Sequence, residues 1–265
     1  MSSEPSPFDG PPPRDIPLAR PPLLRVLTQI RFPTIALIEN QGFIAPFQEV
    51  MRKEFPEVQS DQSPGLVVGP SGLSLQPQTI WRFATFDKKA TVSLGSGFVS
   101  LDVAEYQGKD HFLKLLAPVL ETVEAVFKPA RVERIGLRYV NRFKGEDLAG
   151  LKDYIRSEVL GIFYSDVSQR LQHSVSETVV DVDGGGMSIL ARWGLLASGL
   201  THDPAAMPAI AEKSWFLDID AFSDRAEAFD SRALGKRLDG LADADYRFFR
   251  WVTTDSCLRH FGGKP

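Results

Sequence analysis

The alternation of apolar and polar residues along the chain predicts most of its elements. In Leu23–Phe32 the even positions Leu24, Val26, Ile30 and Phe32 are apolar, with Thr28 among them, while Arg25, Gln29 and Arg31 fall on the odd side. This period of two predicts a half-buried strand, which Pro33 ends because proline cannot donate to a ladder. Phe47, Val50, Met51 and Phe55 recur at helical spacing, predicting a helix over 46–55 with Pro46 in its first turn. Residues 56–78, rich in Pro, Gly, Ser and Gln, read as a long loop.

A meander follows, with strands over 80–86, 90–94 and 98–106 separated by short polar or glycine-bearing breaks that signal hairpins. Phe112, Leu115, Leu116, Val119, Leu120, Val123 and Phe127 form one apolar stripe, predicting a helix over 109–127. Pro118 within it predicts a kink or two shorter helices. Alternation returns over 131–143, with Ile135, Leu137, Tyr139 and Phe143 on one side. A helical segment is expected over 148–160 and strands over 172–182, 187–196 and 215–222. Asp183-Gly184-Gly185-Gly186 is the turn between the first two of these. Helices over 232–241 and 246–261 close the chain. Runs of strands followed by helices indicate α+β. The expected fold is a largely antiparallel sheet of six to eight strands in two loosely similar βββα halves, 23–145 and 146–265, forming one compact domain with helices packed on one face.

Composition changes this picture at one end. Eight of the 19 prolines lie in the first 22 residues, so 1–22 is expected to be an extended, disordered Pro-rich tail. The 265 residues, 43% apolar and 24% charged, otherwise suit a globular chain with a sizeable core. A single cysteine, Cys257, excludes an intrachain disulfide framework and multi-cysteine metal sites. Neither a signal peptide nor a membrane-spanning run is recognisable, which makes a cytoplasmic location the expectation. The net charge of −4 argues against bulk attraction to nucleic acid, which is admitted as a partner but not favoured.

Residues 22–33 (Pro-Leu-Leu-Arg-Val-Leu-Thr-Gln-Ile-Arg-Phe-Pro), Val92-Ser93-Leu94 with Phe98-Val99-Ser100-Leu101, and above all Arg134-Ile135-Gly136-Leu137-Arg138-Tyr139-Val140-Asn141-Arg142 carry a family likeness. Phe248-Phe249 and Thr253-Thr254-Asp255 in the closing helix belong to it too. Through them the chain resembles a sporadically distributed, uncharacterised bacterial family of about 250–270 residues, over nearly everything after residue 20. The resemblance implies a cytoplasmic bacterial protein without an agreed reaction, and its patchy distribution suggests a defence, toxin–antitoxin or mobile-element setting. Members often carry a histidine early in the last helix, where this chain reads Ala244-Asp245-Tyr246-Arg247. That position therefore takes no role here.

Signatures of catalysis are scarce. No P-loop or dinucleotide fingerprint is present, and Gly95-Ser96-Gly97 sits between strands as a hairpin turn. His111, His173, His202 and His260 make no metal-ligand pair, so neither a metal nor a cofactor is expected. His202-Asp203-Pro204 reads as a solvated turn in the long loop 197–213, and Cys257 as a small buried hydrophobe.

One constellation stands out. Arg134, Arg138 and Arg142 share the strand side opposite Ile135, Leu137 and Tyr139, at steps of roughly 13 Å. Arg25, Arg31, Arg82 and Arg192 lie opposite apolar positions on other strands, so one sheet face would present up to seven guanidiniums. Arginine pairs bidentately with phosphate or carboxylate, which makes this a candidate anion-binding face. The plainer reading is a solvated face whose arginines pair with acids such as Glu133, Glu177, Asp102, Asp218 and Asp220.

The functional expectation is a non-catalytic binding protein whose partner is another protein or a phosphate-bearing ligand. A competing expectation is an enzyme on a phosphorylated or nucleotide substrate, with Arg138 and Arg142 positioning phosphate and Asp218 or Asp220 as acid/base. A third is a chaperone- or antitoxin-like partner protein, marked by a large exposed apolar patch. Exposed meander edges also admit a homodimer.

Overall fold

The structure, a computed structural model, describes residues 6–69 and 72–265, and the side chains of all of these but 63–69 and 72–77. The chain is α+β. Its strands are β1 (Leu23–Arg31), β2 (Glu57–Gly69), β3 (Gly72–Ala84), β4 (Ala90–Gly95), β5 (Phe98–Val103), β6 (Arg131–Val132), β7 (Arg134–Lys144), β8 (Ser174–Asp181), β9 (Ser188–Leu196), β10 (Ser214–Ser223) and β11 (Glu227–Ala228). Its helices are α1 (Gln41–Met51), α2 (Lys109–Phe127), α3 (Glu146–Ala149), α4 (Leu151–Tyr154), α5 (Ser157–Leu160), α6 (Ser231–Val252) and α7 (Asp255–His260). A large antiparallel sheet of nine strands runs in the order β2-β3-β4-β5-β1-β7-β10-β9-β8, and β6 pairs with β11 separately. Among the described residues no helix is long and apolar enough to cross a membrane.

The ninth strand of the large sheet is β2, which falls where a loop over 56–78 is expected. It pairs with β3 from Glu57↔Ala84 to Gly69↔Gly72, and Pro64 stands opposite Pro77. Beyond Trp81–Ala84, where β4 pairs, β3 has β2 as its one ladder neighbour among the described residues. Each proline therefore has a ladder-free side to which its missing donor can point. Compositional punctuation misleads here because the strands form a two-stranded arm. Residues 70 and 71 of the expected loop lie outside the described residues.

Helix boundaries differ for comparable local reasons. α1 begins at Gln41, ahead of Pro46, because the Asn40 side chain caps it by accepting from the Gly42 amide at 2.8 Å. Pro118 neither breaks nor divides α2. It lies on the exposed side, and the Thr122 hydroxyl donates to its carbonyl. The stretch 148–160 is three single turns, α3 to α5, rather than one helix. α6 passes unbroken through Gly240, and the break falls later, where Thr253 forms an isolated bridge with Ile155.

The chain divides into two compact units built from interleaved segments, so the boundary does not fall at residue 145. The first holds 1–26, 138–222 and 240–265; the second holds 27–137 and 223–239. In the second unit Phe47 packs between Phe83 and Phe127, at ring distances of 5.3 and 5.4 Å. Thr28, the polar residue on the apolar side of β1, is fully buried there and donates to the Gly136 carbonyl at 2.7 Å. That bond removes the cost of burying its hydroxyl.

In the first unit Trp215, Leu217, Ile219 and Ala221 form one fully buried side of β10. Phe143 meets both Trp215 and Phe261 edge-on on that side. The other side of β10 carries Phe216 and Asp218. The proline-rich segment forms no helix or strand over 6–22, but it is not the loose tail expected. Arg247 donates to the carbonyls of Pro7, Gly10 and Pro11. The Tyr246 hydroxyl donates to the Arg14 carbonyl and accepts from the Ile16 amide, and Ile16 itself is buried. A chain poor in amide donors still has every carbonyl available, and arginine supplies the matching donors.

Two glycines test the packing in opposite senses. A Cβ on Gly194 in β9 would stand 1.9 Å from the Ser174 carbonyl oxygen, whereas one on Gly235 in α6 meets nothing. Gly194→Ala is expected to lower stability by about 1–3 kcal/mol or more. Gly235→Ala is expected to raise it by about 1 kcal/mol. Denaturant midpoints of the two variants check both signs.

Candidate functional site

The even side of β7 carries the three arginines singled out by the alternation, and the chain treats them differently. Arg138 is clasped on every nitrogen. Nε and Nη2 donate to the two oxygens of Asp218 at 2.7 and 2.6 Å, and Nη1 lies 2.8 Å from Asp203 Oδ2. Asp218 is only 2% exposed. Burial works against the Arg138 charge, but the two carboxylates outweigh it and raise its pKa. Burial alone would raise the Asp203 carboxyl as well. Arg138 and the amides of Ala205 and Ala206 reverse that and lower it.

Those amides make Asp203 the organiser of the loop 197–213. Its carboxylate accepts from both, and its carbonyl accepts from the Met207 amide. The Thr201 hydroxyl donates to the Met207 carbonyl, and Arg25 Nη1 donates to the Ala205 carbonyl at 2.7 Å. The His202-Asp203-Pro204 stretch is therefore pinned to the sheet rather than a free solvated turn. His202 stacks on Phe216 with ring centroids 5.0 Å apart, its Nε2 3.7 Å from Asp218 Oδ2. Burial lowers the His202 pKa against the pull of Asp218, which favours the neutral imidazole.

Arg142, four residues along the same side of β7, receives no carboxylate. It is 5% exposed, and its Nε and Nη2 are buried without a hydrogen-bond partner among the described residues. Burial lowers its pKa, the mark of a charge without a counter-charge. Arg142 lines a cavity of about 290 Å³ together with Leu24, Arg25, Lys144, Ala206, Pro208 and Ile210. No acidic side chain belongs to that lining.

The remaining arginines do not complete one open cationic face. Arg134 pairs with Asp224 at 3.3 Å, Arg82 with Asp61 at 2.5 Å, and Arg192 with Glu177 across the β8–β9 ladder. Arg31 is exposed, with its carbonyl accepting from the Glu133 amide. Arg31, Arg82 and Arg134 belong to the second unit, and Arg25, Arg138, Arg142 and Arg192 to the first. The correction has a simple cause. Alternation fixes the side of a strand on which a residue stands but says nothing of the acids that other elements bring to it. Of the acids expected as partners, Glu177 and Asp218 serve, while Asp61, Asp203 and Asp224 come from elsewhere.

Other polar groups resolve into structural duties. Asp218 spends both oxygens on Arg138. Asp181 and Asp183 bind successive amides of the β8–β9 turn, from Asp183 to Met187. Asp147, His260 and Tyr154 form a chain that no spacing announced, with contacts of 2.7 Å and 2.9 Å at the two imidazole nitrogens. Burial and the nearby Asp147 raise the Tyr154 pKa, which disfavours a phenolate nucleophile. Cys257 is fully buried as expected, and burial pushes its thiol up to about 12. The chain matches no protein-family model and no curated protein.

Removing Asp218 would leave Arg138 buried with one partner lost. Asp218→Ala is therefore expected to cost about 3–5 kcal/mol in a denaturant titration.

Asp245 in α6 supplies a pH test. It is buried, and burial followed by the charge of Asp220 raises its pKa well above 3.8 against the pull of the Ala221 amide. The folded state thus holds a proton that the unfolded state releases, so stability falls as pH rises through and beyond the ordinary aspartate value. Asp245→Asn is expected to flatten that decline, read from thermal midpoints across pH.

Proposed function

We propose that the protein is a non-catalytic binding protein that takes a small anionic ligand in the cavity lined by Arg142. The supporting observation is the contrast along one strand side: three nitrogens of Arg138 meet two carboxylates, while Arg142, the less exposed of the two, meets none. A buried guanidinium without a counter-charge is costly, and an anion entering the cavity would lift that cost. Arg25 and Lys144 add two further cations to the same lining. The site is concave and small, which suits a small molecule better than a nucleic-acid strand.

The enzyme reading has weaker support. Both oxygens of its acid/base candidate Asp218 are taken up by Arg138, and Asp220 is not among the residues lining the cavity.

Arg142→Met tests the proposal by a trade-off. Without added ligand the variant is expected to match or exceed the wild type in stability by about 1–3 kcal/mol, because an unpaired buried charge is gone. Phosphate and acetate, at constant ionic strength, are expected to raise the thermal midpoint of the wild type and leave that of Arg142→Met unchanged. A wild type indifferent to every anion would overturn the proposal.

A further inference from the structure

Resting on the anion-cavity reading, we infer that the ligand carries negative charge at both ends of a short apolar chain: a linear dicarboxylate. The inference comes from how charge and exposure are distributed within the lining. Arg142 is buried, Arg25 is half-buried, and Lys144 is exposed. One cation therefore lies deep and another at the mouth. The rest of the lining is apolar, with Leu24, Pro208 and Ile210 offering no donor side chain and no counter-charge.

A compact anion such as phosphate would satisfy one level and leave the other cation and the apolar walls unused. An anion with a long apolar tail would meet Arg142 or Lys144 but not both. A two-headed ligand satisfies each end and lays methylenes against the walls, where apolar contact adds to binding.

Chain length follows from the strand. Arg142 and Lys144 are two residues apart on one side of β7, a backbone step of about 6.6 Å, which suits a ligand of about four to six carbons. The deep carboxylate would receive charge-assisted hydrogen bonds from the Arg142 guanidinium. The outer one would meet Lys144 as a point charge, with Arg25 alongside. Arg25 already donates to the Ala205 carbonyl, so its position is fixed before the ligand arrives.

The test is isothermal titration of the full chain with malonate, succinate, glutarate, adipate and suberate, with butyrate and inorganic phosphate as single-headed probes. The middle dicarboxylates are expected to bind about tenfold or more tightly than butyrate, with affinity falling for malonate and suberate. Lys144→Met is expected to bring glutarate down to the butyrate level and to leave butyrate unchanged. Arg142→Met is expected to abolish both. Butyrate or phosphate binding as tightly as any dicarboxylate, or a Lys144→Met variant that binds glutarate normally, overturns the two-headed ligand while the anion cavity stands. If none of these anions binds the wild type, both readings fall together.

Discussion

The clasp of Arg138 between Asp218 and Asp203 is the interaction on which the first unit's open sheet side depends. Asp218 comes from the neighbouring strand and Asp203 from the long loop, so one guanidinium joins a ladder to a connection that has no ladder of its own. A loop of this length has few ways to satisfy its backbone groups, and Asp203 meets several of those needs at once through Ala205, Ala206 and Met207. Once the loop is held, Ala206, Pro208 and Ile210 stand opposite Leu24 and Arg142, and a cavity exists. The same charge logic that closes the structure at Arg138 is left incomplete at Arg142. Fully paired buried charges fix geometry, and an unpaired one is an invitation to a counter-ion.

Where backbone periodicity alone decides an element, the chain is readable. β1, β4, β9 and β10 start and stop within about two residues of their apolar alternation, and α2 covers the full stripe from Lys109 to Phe127. The misread segments are those where neighbours overrule local cues. Pro64 and Pro77 look like loop punctuation until their strands prove to have a vacant side. A gap between helices is expected over 242–245, yet α6 continues through it because Leu238, Leu241, Ala242 and Ala244 are buried.

The site was legible in its residues but not in its pairing. Alternation correctly groups Arg138 with Arg142 on one side of a strand, because that grouping is covalent geometry. Which of the two keeps a free valence is decided by Asp203, sixty-odd positions away on a loop whose path no periodicity encodes. Apolar Pro208 and Ile210 lack any reason to be noticed until that loop is folded over the sheet. The Asp147–His260–Tyr154 chain was hidden for the same reason, since Asp147 in α3 and Tyr154 in α4 each stand more than a hundred residues from His260 in α7.

The strap formed by residues 6–22 bears on the order in which the molecule is assembled. Its anchors are Tyr246, Arg247 and the end of α7, so residues 6–22 cannot dock until the segment 246–261 has been made. Closing a loop of that span is entropically slow and comes late. The strap is thus the last stitch in the fold, laid over a molecule that is otherwise complete.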